Sequence, residues 1–292
     1  MVSVLKCKTG FARSCGIFFM LSLFTFLASC ANNTGKNQTG DTLDRIRRTG
    51  IVEACTVVDP PFTIKDSKTG KFSGVYVDAL NLIAQKMNAK VIWHESTWGN
   101  VTADLASGRC DVLDASIYAN IPRAMAVAFT SPPLAYMGLS ALVRKDDPRF
   151  AHAKDVMEFD KPDITVVLAT GGGADYFAKE NFKHAKVRRV DVESGDLMRF
   201  VVEVSSHRAD VAFAAQDDAE RYAKQHPEVT LLFGNDPFSM EPIAWAVRQD
   251  DLKWLHFIET ALQFLNTQGT MTQLEKQYNA HWIHLIQQYK LQ

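Results

Sequence analysis

The 292-residue sequence lacks the features that several protein classes require. Its five cysteines are too few for a disulfide scaffold, and 32 Lys and Arg residues are balanced by 33 Asp and Glu residues. Without a basic surplus, nothing in the composition favours nucleic-acid binding. No G-x-S-x-G motif is present to carry a nucleophilic serine. The sequence is 47% hydrophobic, which excludes a disordered chain and suffices for one large or two modest domains.

The N-terminal 29 residues have the pattern of an export signal. Lys6, Lys8 and Arg13 give a positive start, and no acidic residue precedes Asp41. Residues 17–27 (IFFMLSLFTFL) then form an apolar run. This run is shorter than the roughly 18–20 residues that a membrane-spanning helix needs. We therefore predict that residues 1–29 are a signal peptide.

The apolar run closes with Leu-Ala-Ser-Cys at residues 27–30, which resembles the bacterial lipobox, whose cysteine is lipidated and becomes residue one. The alternative is a plain signal peptide followed by a chance cysteine, but the position of Cys30 directly after the apolar run favours lipidation. Residues 30–40 are polar and are predicted to be a flexible tether. Each buried methylene of an acyl chain adds about 0.8 kcal/mol, so the membrane is an expected partner through Cys30.

After residue 40, strand-like apolar stretches alternate with helical patterns, which is typical of a parallel α/β sheet. Apolar stretches near residues 139–143 and 243–247 join two such series and predict hinge strands. We predict a first lobe from residues 41–140, to which residues 248–292 return, and a second lobe from residues 141–247. Ligands of open α/β sheets bind beyond the carboxyl ends of strands. The loops in that position are 59–62, 116–123 and 169–173.

Two cysteines remain beyond the signal and the lipidation site. Cys55 lies within a predicted strand, and Cys110 lies just before another. Export permits a disulfide between them, but the sequence does not fix the separation of their Cα atoms. We expect two buried thiols.

Several stretches follow one another in an order that is specific when they are taken together. They are TLDRIRRTG, DPPFTI, SGVYVDALNLIAQKMNAKV, TWGNVTADLASGRCDV, IPRAMAVAFTSPPL, LVRKDDP, SHRADVAF, EPIAWAVRQDD and LNTQGTMTQLEKQY. This order resembles the type-II periplasmic solute-binding proteins of family 3, which are the amino-acid receptors of ABC importers. The resemblance implies an α/β fold in which two lobes, joined by two hinge strands, close on a ligand in the cleft. It also implies a monomer that captures a small carboxylate-bearing solute, an amino acid or a related compound, and delivers it to an ABC permease.

The resemblance implies that an arginine binds the ligand carboxylate. In the family this arginine follows the third strand, and Arg123 in NIPRAMAVAF occupies the matching position. A guanidinium offers a planar fork of two donors that fits a carboxylate. The alternative is a surface arginine at the start of a helix.

Other site residues come from the same resemblance. Ser116 and Tyr118 match positions that touch the ligand, and Trp98 matches an apolar wall position that could equally be core packing. The turn from Thr170 through Gly171 to Gly173 matches a second-lobe segment whose amides bind the carboxylate. A glycine-rich turn that opens a helix binds anions through unpaired amides and the helix dipole.

The sequence departs from the family where the ligand ammonium group is usually bound. The usual aspartate, five residues after Asp210, is replaced by Ala215. Three alternatives follow: Asp217 takes its place, another residue binds the ammonium group, or the ligand has no ammonium group. Asp59 stands where the family usually has an aromatic residue, and Phe62 in the same loop is a further candidate ligand contact. We hypothesise that Asp59 supplies negative charge for a cationic group on the ligand.

An enzymatic alternative exists within the same resemblance. Dehydratases of the cyclohexadienyl or arogenate type need a general acid in the cleft. No pair of carboxylates has a spacing that demands this chemistry, so we expect a binding protein without a cofactor. His281 and His284 lie one helical turn apart without a third ligand nearby, so no metal site is expected. The expected location is the extracytoplasmic side of a membrane, in the periplasm or at the cell surface.

Overall fold

The computed structural model describes residues 42–192, 196 and 198–280. These residues belong to one compact unit, Thr39–Gln292. The predicted signal peptide, the lipidation site Cys30, the tether and the two C-terminal histidines, His281 and His284, lie outside the described residues, so those assignments stay predictions.

Helices and strands alternate along the chain, as the sequence predicts. The helices are α1 (Thr42–Thr49), α2 (Val75–Lys86), α3 (Val101–Ala106), α4 (Ile121–Ala124), α5 (Gly173–Asn181), α6 (Val202–Ser205), α7 (Gln216–Gln225), α8 (Leu252–Thr267) and α9 (Thr270–Gln277). The strands are β1 (Ile51–Thr56), β2 (Ile64–Lys65), β3 (Phe72–Ser73), β4 (Lys90–Glu95), β5 (Val112–Tyr118), β6 (Val127–Phe129), β7 (Ala135–Arg144), β8 (Thr165–Ala169), β9 (Lys186–Val190), β10 (Val211–Ala215), β11 (Val229–Leu232) and β12 (Phe238–Arg248). Within the described part of the chain, no helix is both long and apolar enough to cross a bilayer.

The larger sheet has the order β4-β1-β5-β12-β7-β10-β8-β9, with β6 beside β12 and β11 beside β7. Strand β1 is parallel to β4 and β5, and β8 is parallel to β9 and β10. The long strands β7 and β12 run antiparallel to each other and to these neighbours. We call β4, β1, β5 and β6 the first strand group, and β10, β8, β9 and β11 the second strand group. The predicted hinge stretches lie in β7 and β12, while the lobe boundaries themselves stay a prediction.

Strand β5 is buried along its whole length because helices contact it on both faces. Side chains alternate between the faces of a strand. Leu113, Ala115 and Ile117 therefore pack together in a hydrophobic cluster with α3. Ser116 and Tyr118 point to the opposite face, and they are the last two residues of that face before the strand ends. The sequence thus brings both polar side chains to the carboxyl edge of the sheet.

Cys55 and Cys110 form a disulfide, with their Cα atoms 5.6 Å apart, so the expectation of two buried thiols was wrong. Cys55 lies in β1 opposite Leu113 of the neighbouring parallel strand β5. Cys110 lies two residues before the start of β5, so the pairing of these two strands brings the sulfur atoms together. Both residues are fully buried in the cluster that contains Leu105 of α3.

Candidate functional site

A cavity of about 80 Å³ lies at the carboxyl ends of β5, β8 and β10. This volume is well below the roughly 300–1,000 Å³ of pockets for drug-sized ligands, so the cavity suits a small solute. The lining residues from the first strand group and its loops are Asp59, Trp98, Ser116, Tyr118 and Arg123. The remaining lining residues are Met137, Leu139, Ala169, Gly172, Gly173, Ala174, Met198, Phe200, Phe213, Ala214, Ala215, Asp217 and Asp218.

Arg123 is 2% exposed at the edge of this cavity, unlike a surface arginine at a helix start. The side chain of Asn120 caps α4 by accepting a hydrogen bond from the Arg123 amide at 3.1 Å. The guanidinium donates through Nη1 to the Tyr118 carbonyl at 3.0 Å and through Nη2 to the Gly171 carbonyl at 2.7 Å. It also lies 4.9 Å from the centre of the Tyr176 ring. Arg123 therefore links the end of β5 to the loop after β8, across the cavity.

The glycine-rich turn after β8 differs from the anion site that the sequence predicts. The amides of Thr170, Gly171 and Gly172 all donate hydrogen bonds within the protein, that of Gly171 to Oδ2 of Asp175 at 3.0 Å. Asp175 is fully buried near the N-terminus of α5, where the helix dipole favours negative charge. The turn therefore binds the carboxylate of Asp175, which belongs to the protein itself. Thr170 and Gly171 are absent from the residues that line the cavity.

Gly171 instead sets the distance between the two sides of the cavity. Its φ angle is +70°, and a Cβ atom at this position would lie 2.6 Å from the Cα atom of Gly99. Real Cβ atoms do not approach a backbone that closely, so only glycine fits here. The close approach lets the Gly171 carbonyl reach the guanidinium of Arg123.

The remaining residues predicted from the first lobe border the cavity. The Tyr118 ring packs on Gly173, where a Cβ atom would lie 2.8 Å from the ring. Trp98 lines the cavity and also packs against two hydrophobic clusters, so its two proposed roles coincide. Ser116 lines the cavity beside Asp59.

Asp59 is a buried carboxyl group with an unusual pKa. Its side chain lies in a tight loop and the residue is 7% exposed. Burial raises the pKa of Asp59 to about 7, with a further rise from the charge of Asp217, while the Ser116 hydroxyl and Arg221 partly offset the increase. The raised pKa favours the protonated form of Asp59 over a wider pH range than for an exposed aspartate.

Two further carboxyl groups lie at the N-terminus of α7. Asp217 accepts a hydrogen bond from Nη1 of Arg221 at 3.0 Å, and Asp218 forms an ion pair with the same guanidinium. Burial raises the pKa of Asp218 well above its ordinary value, and the charges of Asp217 and Asp59 add to this rise. We call Asp59, Asp217 and Asp218 the acidic wall of the cavity.

We expect Asp59→Asn to stabilise the ligand-free protein at high pH. Because the pKa of Asp59 rises from 3.8 unfolded to about 7 folded, the native state binds more protons between these values. Stability therefore falls as pH rises from about 4 to 7, by on the order of a few kcal/mol for this group. Urea unfolding at pH 5 and pH 8 measures the effect: the variant should gain stability over wild type mainly at pH 8. An equal difference at both pH values would contradict the assignment.

Several buried polar atoms around the cavity have no hydrogen-bond partner among the described residues. Three of them are the Tyr118 hydroxyl, Nε of Arg123 and Oδ1 of Asp217. Buried polar groups are rarely left unpaired, because each such group costs about 1–3 kcal/mol. The first two can donate and the third can only accept, so a bound molecule with both kinds of group would satisfy them.

Phe62 is placed away from the cavity, contrary to its prediction as a ligand contact. Its residue is 2% exposed, and its ring packs 5.0 Å from that of Tyr76 in the hydrophobic core. The Phe62 carbonyl accepts a hydrogen bond from the Tyr76 amide at the start of α2. The chain therefore turns inward after Asp59, and only Asp59 of this loop lines the cavity.

Sequence reasoning missed Asp218, Arg221 and Tyr176 as parts of the site. One signal was available, because Asp217 and Asp218 lie four and three residues before Arg221, which are the spacings of ion pairs along a helix. Nothing local marks Tyr176, whose ring meets Arg123 only in the fold. Among the described residues, no group of three His, Cys, Asp or Glu side chains is placed to hold a metal ion.

This chain is similar over most of its length to an enzyme and to a protein designated as amino-acid-binding. The cyclohexadienyl dehydratase of Pseudomonas aeruginosa is 25% identical over 224 residues, which are 74% of this chain and 81% of that protein. The Bacillus subtilis protein YxeM, designated an amino-acid-binding protein, is 22% identical over 264 residues, which are 90% of this chain and 93% of that protein.

The fold of this chain matches that of a solved structure, and its sequence matches a family profile. The crystal structure of an ancestral amino-acid-binding protein, a precursor of cyclohexadienyl dehydratase, is 28% identical with a TM-score of 0.69, and the match covers 81% of this chain and 99% of that one. The type II periplasmic-binding-protein fold predicted from the sequence is confirmed. The profile of bacterial extracellular solute-binding proteins, family 3, matches residues 52–281. This chain belongs to that family of extracellular solute-binding proteins.

Proposed function

We propose that this protein is a receptor for a small zwitterionic solute, an amino acid or a related compound. The observation that carries the proposal is the opposite chemistry of the unpaired groups in one cavity. Nε of Arg123 and the Tyr118 hydroxyl can donate to a carboxylate, while Oδ1 of Asp217 can accept from an ammonium group. Asp59 lies in the same cavity and gains a cationic partner when such a ligand binds.

The charge balance favours a zwitterion over an anion. The cavity lining has three carboxyl groups, those of the acidic wall, and one guanidinium, that of Arg123. Opposite charges a few ångströms apart in a partly buried site attract by several kcal/mol, and like charges repel by as much. Arg221 already pairs with Asp217 and Asp218, so among the described residues Asp59 is the wall carboxyl group without an ion pair. A solute with only carboxylates would repel Asp59, whereas an ammonium group would pair with it.

Closure of the two predicted lobes would assemble the site. Arg123 already donates to the Gly171 carbonyl on the opposite side, so the arginine both holds the closed form and borders the ligand space. A ligand favours the closed form only as far as it binds that form more tightly than the open one. Delivery to an ABC permease that recognises the closed form is part of the proposal, supported by family membership.

A thermal-shift screen tests the ligand class. Each amino acid is paired with the amine that lacks its carboxylate and the acid that lacks its ammonium group. A ligand at 100 times its Kd stabilises the protein by about 2.7 kcal/mol. We expect a shift with at least one amino acid and a much smaller shift with both of its matched analogues. A full shift with the matched acid alone would overturn the proposed ligand class.

The proposed location is the outer side of a membrane, with the lipid anchor at Cys30. We expect Cys30→Ala to move the protein from the membrane fraction to the soluble fraction, because each lost acyl methylene removes about 0.8 kcal/mol of membrane binding. Fractionation after metabolic labelling with a fatty-acid analogue measures both location and acylation. Cys7→Ala, within the predicted signal peptide, is the matched control and should leave both unchanged. Label retained by the Cys30→Ala protein would contradict the anchor.

A dehydratase is the second candidate, and one observation favours it. Asp59, with its pKa near 7, could donate a proton to a leaving hydroxyl group in the cavity. The likeness to the cyclohexadienyl dehydratase supports the same idea. A direct ultraviolet assay for phenylpyruvate formed from prephenate tests it, with Asp59→Asn as the control. Turnover by wild type that the Asp59→Asn variant loses would show that the protein is a dehydratase. If wild type shows no turnover, the receptor function is favoured.

A further inference from the structure

Arg221 of α7 lies at the outer edge of the acidic wall and contacts both sides of the cavity. Its guanidinium donates to Oδ2 of Asp217 at 3.0 Å and forms the ion pair with Asp218. Nη2 of the same group also donates to the carbonyl of Pro60 at 3.3 Å. Pro60 belongs to the loop after β1, whereas α7 follows β10 of the second strand group. Arg221 therefore fixes the acidic wall and spans the two sides of the cavity.

Arg221 is a counter-ion for the acidic wall. The charge of Asp217 raises the pKa of Asp59, the charges of Asp217 and Asp59 raise that of Asp218, and Arg221 opposes both rises. The guanidinium is thus the internal counter-ion of a site with more negative than positive groups. It takes the position at which a second cationic group of a ligand would be attracted.

A second cavity lies directly outside this arginine. It has a volume of about 340 Å³, and Pro60, Arg221, Tyr222 and His226 are among its lining residues. Met198 and Asp218 line both this outer cavity and the inner one. Asp218, which Arg221 holds in an ion pair, therefore lies between the two spaces, with Arg221 on the outer side. Shortening Arg221 would enlarge the outer cavity and leave Asp217 and Asp218 beside it without their counter-ion.

We propose that Arg221 is a specificity-determining residue that fills the site for a second cationic group and so restricts the receptor to short solutes with one ammonium group. The proposal rests on the receptor function proposed above and adds a selection against longer basic solutes. It assigns two effects to one side chain. Its charge neutralises Asp217 and Asp218, and its length occupies the part of the outer cavity beside Asp218.

Binding of two probes of similar length tests the proposal. L-lysine carries a second ammonium group, and L-norleucine has a similar carbon chain without it. In Arg221→Ala we expect the affinity for L-lysine to rise by about tenfold or more over wild type, since a close charge pair contributes at least this much. The L-norleucine affinity should change far less. Calorimetry measures both, and Arg208→Ala, which removes an exposed arginine paired with Glu203, is the matched control.

Two further variants separate charge from length and guard against misfolding. Arg221→Gln keeps most of the side-chain length without the charge, so it should gain less L-lysine affinity than Arg221→Ala. Adding Asp218→Asn to Arg221→Ala should remove the gain. Methylguanidinium, which replaces the missing group, should raise the melting temperature of Arg221→Ala and leave wild type unchanged. If Arg221→Ala binds L-lysine no better than wild type and methylguanidinium has no effect, the proposal fails, whatever ligand the screen of wild type finds.

Discussion

Arg123→Ala is expected to abolish ligand binding at micromolar concentrations. The variant removes the hydrogen bond to Gly171 that joins the two sides of the cavity, and it removes the donors for the ligand carboxylate. Hydrogen bonds to charged groups contribute about 1.5–3 kcal/mol each, so losing two weakens binding by about 100-fold or more. Calorimetric titration with the solute found by the thermal-shift screen measures the loss.

Two control variants make this result specific. Arg123→Lys keeps the positive charge but loses the planar fork, so we expect it to recover only part of the affinity. Arg208→Ala removes an exposed arginine far along the chain and should bind as wild type does. The melting temperature of each variant shows whether it is folded. Micromolar binding by a folded Arg123→Ala protein would contradict the role given to this residue.

Loss of the Cys55–Cys110 disulfide is expected to lower the free energy of unfolding by about 4 kcal/mol. The bridge closes a loop with a sequence separation of 55 residues, and the chain-entropy relation for such a loop gives about that value. Urea unfolding of the Cys55→Ala, Cys110→Ala double variant measures the change, since alanine leaves no unpaired thiol or hydroxyl in the buried cluster. Reduced wild type is the matched comparison and should lose a similar amount. A loss below about 1 kcal/mol in both would show that the bridge contributes little to stability.

Several of the predicted site residues line the cavity because of the local order of residues along the chain. Strand β5 is a mainly apolar, buried stretch that ends with Ser116 and Tyr118 near its carboxyl end, and Pro122 lies in the first turn of the helix α4 that follows. Arg123 comes next and is buried at the cavity, as the resemblance implies. The alternation of strands and helices predicts the α/β sheet for the same reason. Each of these features is specified by residues within a few positions of one another.

The features that sequence analysis misses depend on residues far apart in the chain. The disulfide needs the register between β1 and β5, which brings Cys55 next to Leu113. The amide of Gly171 is not free, because it donates a hydrogen bond to the carboxylate of Asp175. The glycine pattern in the sequence does not reveal this hydrogen bond. The high pKa of Asp59 arises from burial and from Asp217 on another element. Such properties appear only when the fold assembles its cavity.

Proton exchange during ligand binding tests the central claim, that a cationic group of the solute lies against Asp59. Calorimetry at pH 6.5 in two buffers with different ionisation enthalpies gives the number of protons exchanged. Because a cation lowers the raised pKa of Asp59, the account predicts that protons are released to the buffer, and that Asp59→Asn releases fewer. An anionic substrate would raise that pKa and take up protons as it binds. Uptake of protons, or an unchanged release in Asp59→Asn, would contradict the account.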